Sequence, residues 1–348
     1  MIVIEERNVH AALHTGLKMI LQSGVSRESR YGKVLMFPQP VTTVYKKPLE
    51  RVVFWPERDA NPFFHFAESL WMLAGRNDVS FLTSFLPRMA EFSDNGETFH
   101  GAYGYRWRKH FGVDQLQTVV NNLKLDTNDR RQVIQMWDAK VDLPSQKGKK
   151  DLPCNTQVYF SVTHEGNVDM LVTNRSNDLI LGCYGANAVH FSYLHEFVAR
   201  ALQLPVGCYR QMSNNLHVYE GPTLEKVRSI VEQPSAFSPY DLEVDGVQLR
   251  RSIYSMMSTD HLQWLADLDL FLMKGAYPGM DPFFRRVAYP IFSAHSILKQ
   301  KKNPQRFKLA IDQLSSCVDT PWALACIQWI QRREEKFNRA KDDGVGHE

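Results

Sequence analysis

Apolar residues recur at helical spacing in PFFHFAESLWMLA and predict a helix over 62–74. Asn61 is placed to cap it, Pro62 suits the first helical position, and Gly75 stops it. Just before it, RVVFW (51–55) has the look of a strand. RQVIQMW (131–137), TQVYFSV (156–162) and VDMLVTN (168–174) are strand-like, with His164-Glu165-Gly166-Asn167 as a turn between the last two. ANAVHFSYLHEFVARALQL (186–204) returns to helical spacing and ends before Pro205. Its histidines, His190 and His195, stand five apart, so they do not share a face as a metal-binding pair would, and they read as packing residues. From about Pro239 the texture becomes helical, over 258–274, 284–299, 306–316 and 320–341, with PGMDP (278–282) as a break. The pattern therefore predicts a mixed body over 1–238 and a helical elaboration over 239–348, packed on the same domain and ending in the polar tail KDDGVGHE.

Composition narrows the class. Of 348 residues, 44% are hydrophobic and 23% charged, enough for a core and too apolar for a disordered chain. Lys plus Arg (41) nearly balance Asp plus Glu (38), so the net charge of +3 advertises no polyanion surface, and nucleic acid is not expected as a partner. The runs KGKK (147–150) and KQKK (299–302) lack interleaved aromatics and read as solvated loops. No apolar run approaches the roughly 20 residues of a membrane helix, and MIVIEERNVHAALH turns acidic too early for a secretory signal. Five scattered cysteines with no Cys-x-x-Cys pair argue against disulfides and structural zinc and for a reducing, cytoplasmic setting.

One thiol has chemical company. Cys154 follows a proline in Asp151-Leu152-Pro153-Cys154-Asn155-Thr156, at the mouth of a predicted strand. A second patch runs Asn174-Arg175-Ser176-Asn177-Asp178 and then Leu181-Gly182-Cys183-Tyr184-Gly185-Ala186-Asn187; a third is Ser213-Asn214-Asn215-Leu216-His217-Val218-Tyr219. Together they offer a thiol, a guanidinium, a carboxylate, a side-chain amide and a His–Tyr pair. A neighbouring Arg stabilises the thiolate that does nucleophilic work. Upstream, Glu68 sits inside an apolar helix, where a carboxylate is costly unless it serves something.

In order and spacing these patches resemble thymidylate synthase and its relatives, the deoxypyrimidine-nucleotide hydroxymethylases, and are nearest in kind to phage-type enzymes acting on dUMP or dCMP. Pro153-Cys154 matches the family's nucleophile, Arg175 to Gly182 its Arg-Ser-x-Asp-x-x-Leu-Gly, and His217-Val218-Tyr219 its His-x-Tyr. Glu68-Ser69-Leu70-Trp71 resembles its Glu-Leu-Leu-Trp helix, Tyr103-Gly104-Tyr105-Arg106-Trp107-Arg108 its Tyr-Gly-x-x-Trp-Arg loop, and Asp129-Arg130-Arg131 its paired arginines. There are departures. Asn155 stands where the family has His, and Asn215 where it has Asp. Asn187 falls twelve residues after Arg175 instead of eleven, which needs a one-residue insertion. Ser29-Arg30-Tyr31-Gly32 follows the phosphate loop only loosely, the closing C-terminal segment is not recognisable, and the helices after Pro239 have no counterpart in the short tail of ordinary thymidylate synthases.

The resemblance implies an α/β (α+β) fold, a large mixed β-sheet with flanking helices plus a helical C-terminal extension. It also implies a homodimer that packs sheet against sheet and shares its active sites. The co-substrate would be 5,10-methylenetetrahydrofolate, with no metal, and the reaction would be one-carbon transfer to C5 of a pyrimidine nucleoside monophosphate. Cys154 would add to C6. Arg30, Arg175 and Ser176 would hold the phosphate in cis, with Arg130 and Arg131 from the partner. His217 and Tyr219 would bind the sugar hydroxyl. Glu68 and Tyr103 would manage water and protons, Asp178 would meet the pterin ring, and Gly182 and Trp71 would border the folate. Asn187 would read the base; its amide suits uracil better than cytosine, with Tyr184 or a backbone group as the alternative reader. Lack of a water-excluding tail favours hydroxymethylation over reductive methylation. A viral source with a modified-DNA pathway, hence a host cytoplasm, would suit that chemistry. A silent nucleotide- or RNA-binding homologue would not need the intact Cys154, Arg175 and Asp178 set. An unrelated cysteine hydrolase would need an ordered His near Cys154, which the sequence does not supply.

Overall fold

A computed structural model describes residues 1–29, 31–144, 148–233, 236–240, 243–244, 247–248 and 253–342. Arg30 and the tail beyond 342 lie outside the described residues. The chain divides into two compact units, Met1–Arg58 with Ala67–Phe237 and Asp59–Phe66 with Ser238–Glu348.

The first unit is built on a mixed sheet of β1 (Ile2–Glu6), β4 (Val41–Tyr45), β9 (Val206–Ser213), β7 (Val168–Asn174), β6 (Asn155–Val162) and β5 (Val133–Gln135), in that spatial order. β1 runs parallel to β4 and β7 parallel to β9, while the other neighbours are antiparallel. Along β7 the alternate residues Val168, Met170, Val172 and Asn174 are buried, the period-two signature of a sheet with one covered face. A smaller sheet orders β2 (Val25–Ser29), β3 (Gly32–Met36), β10 (Leu216–Tyr219) and β8 (Asn177–Asp178). The helix Asn187–Ala201 is buried on nearly every side, and the helix Val9–Ser23 is capped by Asn8, which accepts from the Ala11 amide at 3.0 Å.

Residues 51–55 form no strand. Val52, Phe54 and Trp55 are buried, but the Phe54 amide donates to His10 Nδ1 (3.1 Å) and the Trp55 indole to the His10 carbonyl (3.1 Å). The apolar run thus reports packing against the helix Val9–Ser23 and not a ladder. Elsewhere the apolar patterns resolve as read: the helix is Pro62–Leu73, with Asn61 Oδ1 accepting from Phe64 N and Gly75 at φ +65°, and the middle strands are β5, β6 and β7.

The second unit contains helices His261–Lys274, Tyr289–Leu298, Arg306–Leu314 and Thr320–Asp342. Asp59–Phe66 belongs with them for visible reasons. Asp59 meets Arg332, Arg333 and Lys336 at 3.1, 2.9 and 3.7 Å, and Phe66 packs on Phe283 and Trp322 with ring centroids 6.0 and 5.2 Å apart. Among the described residues no helix is long and apolar enough to cross a membrane.

Gly104 fixes how the Tyr103 segment meets the helix carrying Glu68. A Cβ there would lie 1.9 Å from the backbone oxygen of Met72, an atom that cannot step aside alone. Gly104→Ala should therefore cost about 2–3 kcal/mol, read as a lower urea midpoint at unchanged m.

Candidate active site

Cys154 stands where β6 begins, and the backbone around it is pinned from two sides. Arg175, just past the end of β7, donates through Nε to the Pro153 carbonyl (2.9 Å) and through Nη2 to the Leu152 carbonyl (3.3 Å). The same Nη2 lies 3.9 Å from Cys154 Sγ, and the Arg175 amide donates to the Cys154 carbonyl (2.9 Å). A guanidinium so placed favours the thiolate. From the other side Tyr103 Oη accepts the amides of Cys154 (3.0 Å) and Asn155 (3.2 Å). One residue on, the β6–β7 register slips between Asn155 and Gln157, leaving Thr156 as an extra residue. Such bulges re-aim side chains beside active sites.

Asn187 is brought to this point by the first turn of its helix. Its Oδ1 accepts from Asn155 Nδ2 (3.2 Å), and its Nδ2 donates to Asn177 Oδ1 (3.0 Å). Ahead of it lies a widened stretch, Leu179–Ala186, in which Tyr184 and Gly185 leave helical geometry. Across that stretch the Asn187 amide still reaches Asn155, the residue after Cys154. Tyr184, the alternative reader, is fully buried, and its hydroxyl meets Thr43 Oγ1 at 3.1 Å. Gly182 lies against the Asn177–Asn187 junction, where a Cβ would come within 2.3 Å of Asn177 Oδ1.

β8 and β10 run parallel with Asp178 opposite His217. Asp178 Oδ1 caps the widened turn, accepting from Ile180 N (2.8 Å) and Leu181 N (2.6 Å). Its Oδ2 is buried without a hydrogen-bond partner among the described residues. Burial raises the Asp178 carboxyl above the usual carboxylate range, although those amides, His217 and Arg58 oppose the shift. Burial likewise lowers His217, against the pull of Asp178. His217 Nδ1 meets Asn215 Oδ1 at 3.0 Å, and its ring stands edge-on to Tyr219 with centroids 5.4 Å apart.

Glu68 lies 3.1 Å from His190 Nε2, at ion-pair distance but without hydrogen-bond geometry, so the buried His190 also faces that carboxylate from the helix that carries Asn187. His195 is packing. It is fully buried, lowered by that burial to about 4 and hence neutral, with Nε2 2.6 Å from the Val168 carbonyl. Burial and the nearby Cys154 push the Tyr103 phenol well up, so it stays protonated at neutral pH.

The other expected residues make contacts of their own. Trp71 is buried and donates its indole N–H to Asp78 (3.1 Å). Ser176 is half-buried beside Arg175, whereas Arg130 and Arg131 are exposed, Arg131 forking onto Asp129 at 3.0 and 2.8 Å. The sequence reading assigned no role to Asn174, Asn177 or Arg58. Asn174 and Asn177 carry a usable signal, since a strand-end asparagine forced into a core needs partners. Arg58, buried with its Nε 3.2 Å from the Ile180 carbonyl, carries none in its loop sequence.

The family model for thymidylate synthase matches residues 13–261. The chain is 51% identical to the deoxyuridylate hydroxymethyltransferase of Pseudomonas phage M6, over 99% of both proteins. It is 39% identical to the Bacillus phage SP01 protein of the same name, over 54% of this chain and 51% of that one. A third of that name, from Delftia phage PhiW-14, is 29% identical over 69% of this chain and 68% of its own length.

A raised Asp178 has a sign that can be measured. The folded state favours the protonated acid, so its contribution to stability is present at low pH and is lost as pH rises from about 4 through the raised value. Asp178→Asn should remove that contribution and leave the protein more stable at pH 7, while weakening catalysis. Melting temperatures across pH 4–8 in both proteins check it; a steeper loss in the variant would contradict the buried-carboxylate account.

Proposed function

The chain belongs to the thymidylate synthase family, and from that premise we propose that it transfers a one-carbon unit from methylenetetrahydrofolate to C5 of dUMP, with water completing the reaction to give 5-hydroxymethyl-dUMP. The observation that carries this reading is the full-length 51% identity to a protein named for that activity.

The residues fit the task. C5 of uracil is a poor nucleophile until the Cys154 thiolate adds to C6 and makes C5 an enolate carbon. Arg175 favours that thiolate while its remaining donors suit a phosphate. The folate supplies an electrophilic carbon. The unpartnered Oδ2 of Asp178 is a buried carboxyl oxygen in want of a partner, which the polar edge of a pterin would supply; this supports a folate beside β8. C5 attacks that carbon, loses its proton, and the folate nitrogen departs as an exocyclic methylene forms. Water adds there, the S–C6 bond breaks, and the C5–C6 double bond returns. Tyr103, kept protonated, is a hydrogen-bond relay and not a standing base; Glu68, faced by His190, orients the water. His217 and Tyr219 hold the sugar, and Asn187 reads the base. Gly182 and Trp71 border the folate in this reading.

Exposed Arg130 and Arg131 suit a homodimer in which each supplies the partner's phosphate site. Arg30 would complete it. A soluble enzyme of phage nucleotide metabolism would act in the host cytoplasm.

With dUMP and methylenetetrahydrofolate, mass analysis should find 5-hydroxymethyl-dUMP and tetrahydrofolate; dTMP with dihydrofolate would replace this reading by reductive methylation. Cys154→Ser should lower turnover by at least about 10⁴-fold with nucleotide binding largely kept, as expected when a covalent nucleophile is lost. For the shared site, Arg131→Ala chains mixed with Cys154→Ser chains should regain activity. Mixtures that exchange subunits yet stay inactive would rule the sharing out.

A further inference from the structure

Five buried side chains beside Cys154 form a closed ring of hydrogen bonds running in one sense. Asn174 Nδ2 donates to Asn155 Oδ1, Asn155 Nδ2 to Asn187 Oδ1 (3.2 Å), and Asn187 Nδ2 to Asn177 Oδ1 (3.0 Å). Asn177 Nδ2 then donates to Ser213 Oγ (3.1 Å), whose hydroxyl donates to Asn174 Oδ1 (3.4 Å) and closes the circuit. The second N–H of Asn177 goes to Gln211 Oε1 (2.5 Å), and Gln211 donates in turn to the Tyr209 hydroxyl (2.9 Å). None of the five ring members is more than 8% exposed, so water cannot stand in for a missing partner.

A primary amide is nearly symmetric in shape, and an isolated one turns over freely to exchange its donor and acceptor ends. In a one-way ring it cannot. Turning Asn187 alone would set its oxygen against Asn177 Oδ1 and its N–H against Asn155 Nδ2, losing two buried hydrogen bonds at once. Only reversal of the whole circuit, with Gln211, would restore them.

This bears on base choice. Uracil presents an acceptor at O4 and a donor at N3, and cytosine presents the reverse. An amide free to turn would serve both, whereas one held in a single sense excludes the other. We propose that Asn155 and Asn177, closed through Ser213 and Asn174, are positioning residues that hold the Asn187 amide in the sense that accepts uracil and rejects cytosine. The proposal rests on the reading that Asn187 faces the base. It assigns a task to Asn155, which stands where the family's histidine would be.

The test compares kcat/KM for dUMP and for dCMP, with nucleotide affinity measured alongside, in the full chain and three variants. Asn155→Asp cannot donate; its carboxylate still accepts from Asn174 and would favour an Asn187 turned to donate toward it. The dUMP-to-dCMP ratio should fall at least about tenfold, the worth of one buried hydrogen bond. A ratio cancels any effect of the new charge on the neighbouring thiol. Ser213→Ala opens the circuit without charge and away from Asn187, and should lower the ratio about threefold, a fraction of a hydrogen bond; it decides alone if Asn155→Asp fails to fold. An unchanged ratio in these variants overturns the lock. The third variant, Asn187→Asp, tells the two failures apart. If it shifts preference toward dCMP while the others do nothing, only the ring is refuted; if it too leaves the ratio unmoved, the assignment of Asn187 as reader falls with it.

Discussion

Arg175 uses one guanidinium for two tasks, and the rest of the site is arranged around that economy. Its Nε and Nη2 hold the carbonyls of Pro153 and Leu152, and Nη2 also faces the Cys154 sulfur. The turn that presents the thiol and the charge that faces it are therefore one interaction. Lys could supply the charge but not the fork. Its cation also lies 5.5 Å from the centre of the Trp137 ring, a face that limits its freedom. With the carbonyls taken by Arg175 and the amides by Tyr103, the two peptides flanking Cys154 have little room to move.

The same unit shows what happens to a thiol without such a partner. Cys183 is fully buried beside Tyr45 and Thr43, and burial pushes it up to about 12. It is an apolar core residue with a sulfur atom. Asp178 and His217 follow a related logic: burial drives the acid up and the histidine down, each toward its neutral form. The core next to the thiol, by contrast, meets its need for polarity with neutral amides, which can be satisfied pairwise with no net charge to desolvate.

Much of this was legible in the chain. Pro153-Cys154, the Arg175–Asp178 patch and the His217–Tyr219 pair are short contiguous motifs, and the strands beneath them alternate clearly. Residues 51–55 misled because buried side chains look the same whether the backbone bonds to a strand or to His10. The amide ring was illegible for another reason. Asn155, Asn174, Asn177, Asn187 and Ser213 come from four strands and one helix, and nothing in their spacing says that they meet. What could be noticed was an excess of asparagine where strands begin and end, which local turn chemistry explains equally well. Whether Arg130 and Arg131 complete a neighbour's site is likewise not written in one chain's pattern, since an exposed arginine in a turn looks the same either way.

The irregular stretch before Asn187 shows how a fold sets the direction of a side chain. An extra residue inside a regular helix rotates everything after it by about 100° and would turn the amide away from its partners. Here the irregularity is confined to the widened turns of Leu179–Ala186 and the non-helical Gly185, and regular geometry resumes at Asn187. From that start, positions three and four residues on share the face of Asn187. They are His190, which meets Glu68, and Phe191, whose ring lies 5.9 Å from that of Tyr103 and 5.7 Å from that of Trp107. One helical face thus addresses the amide ring, the carboxylate and the phenol together. A change of register there would disturb all three, so the irregularity had to fall upstream, between Asp178, whose carboxyl caps the widened turn, and the first regular turn of the helix.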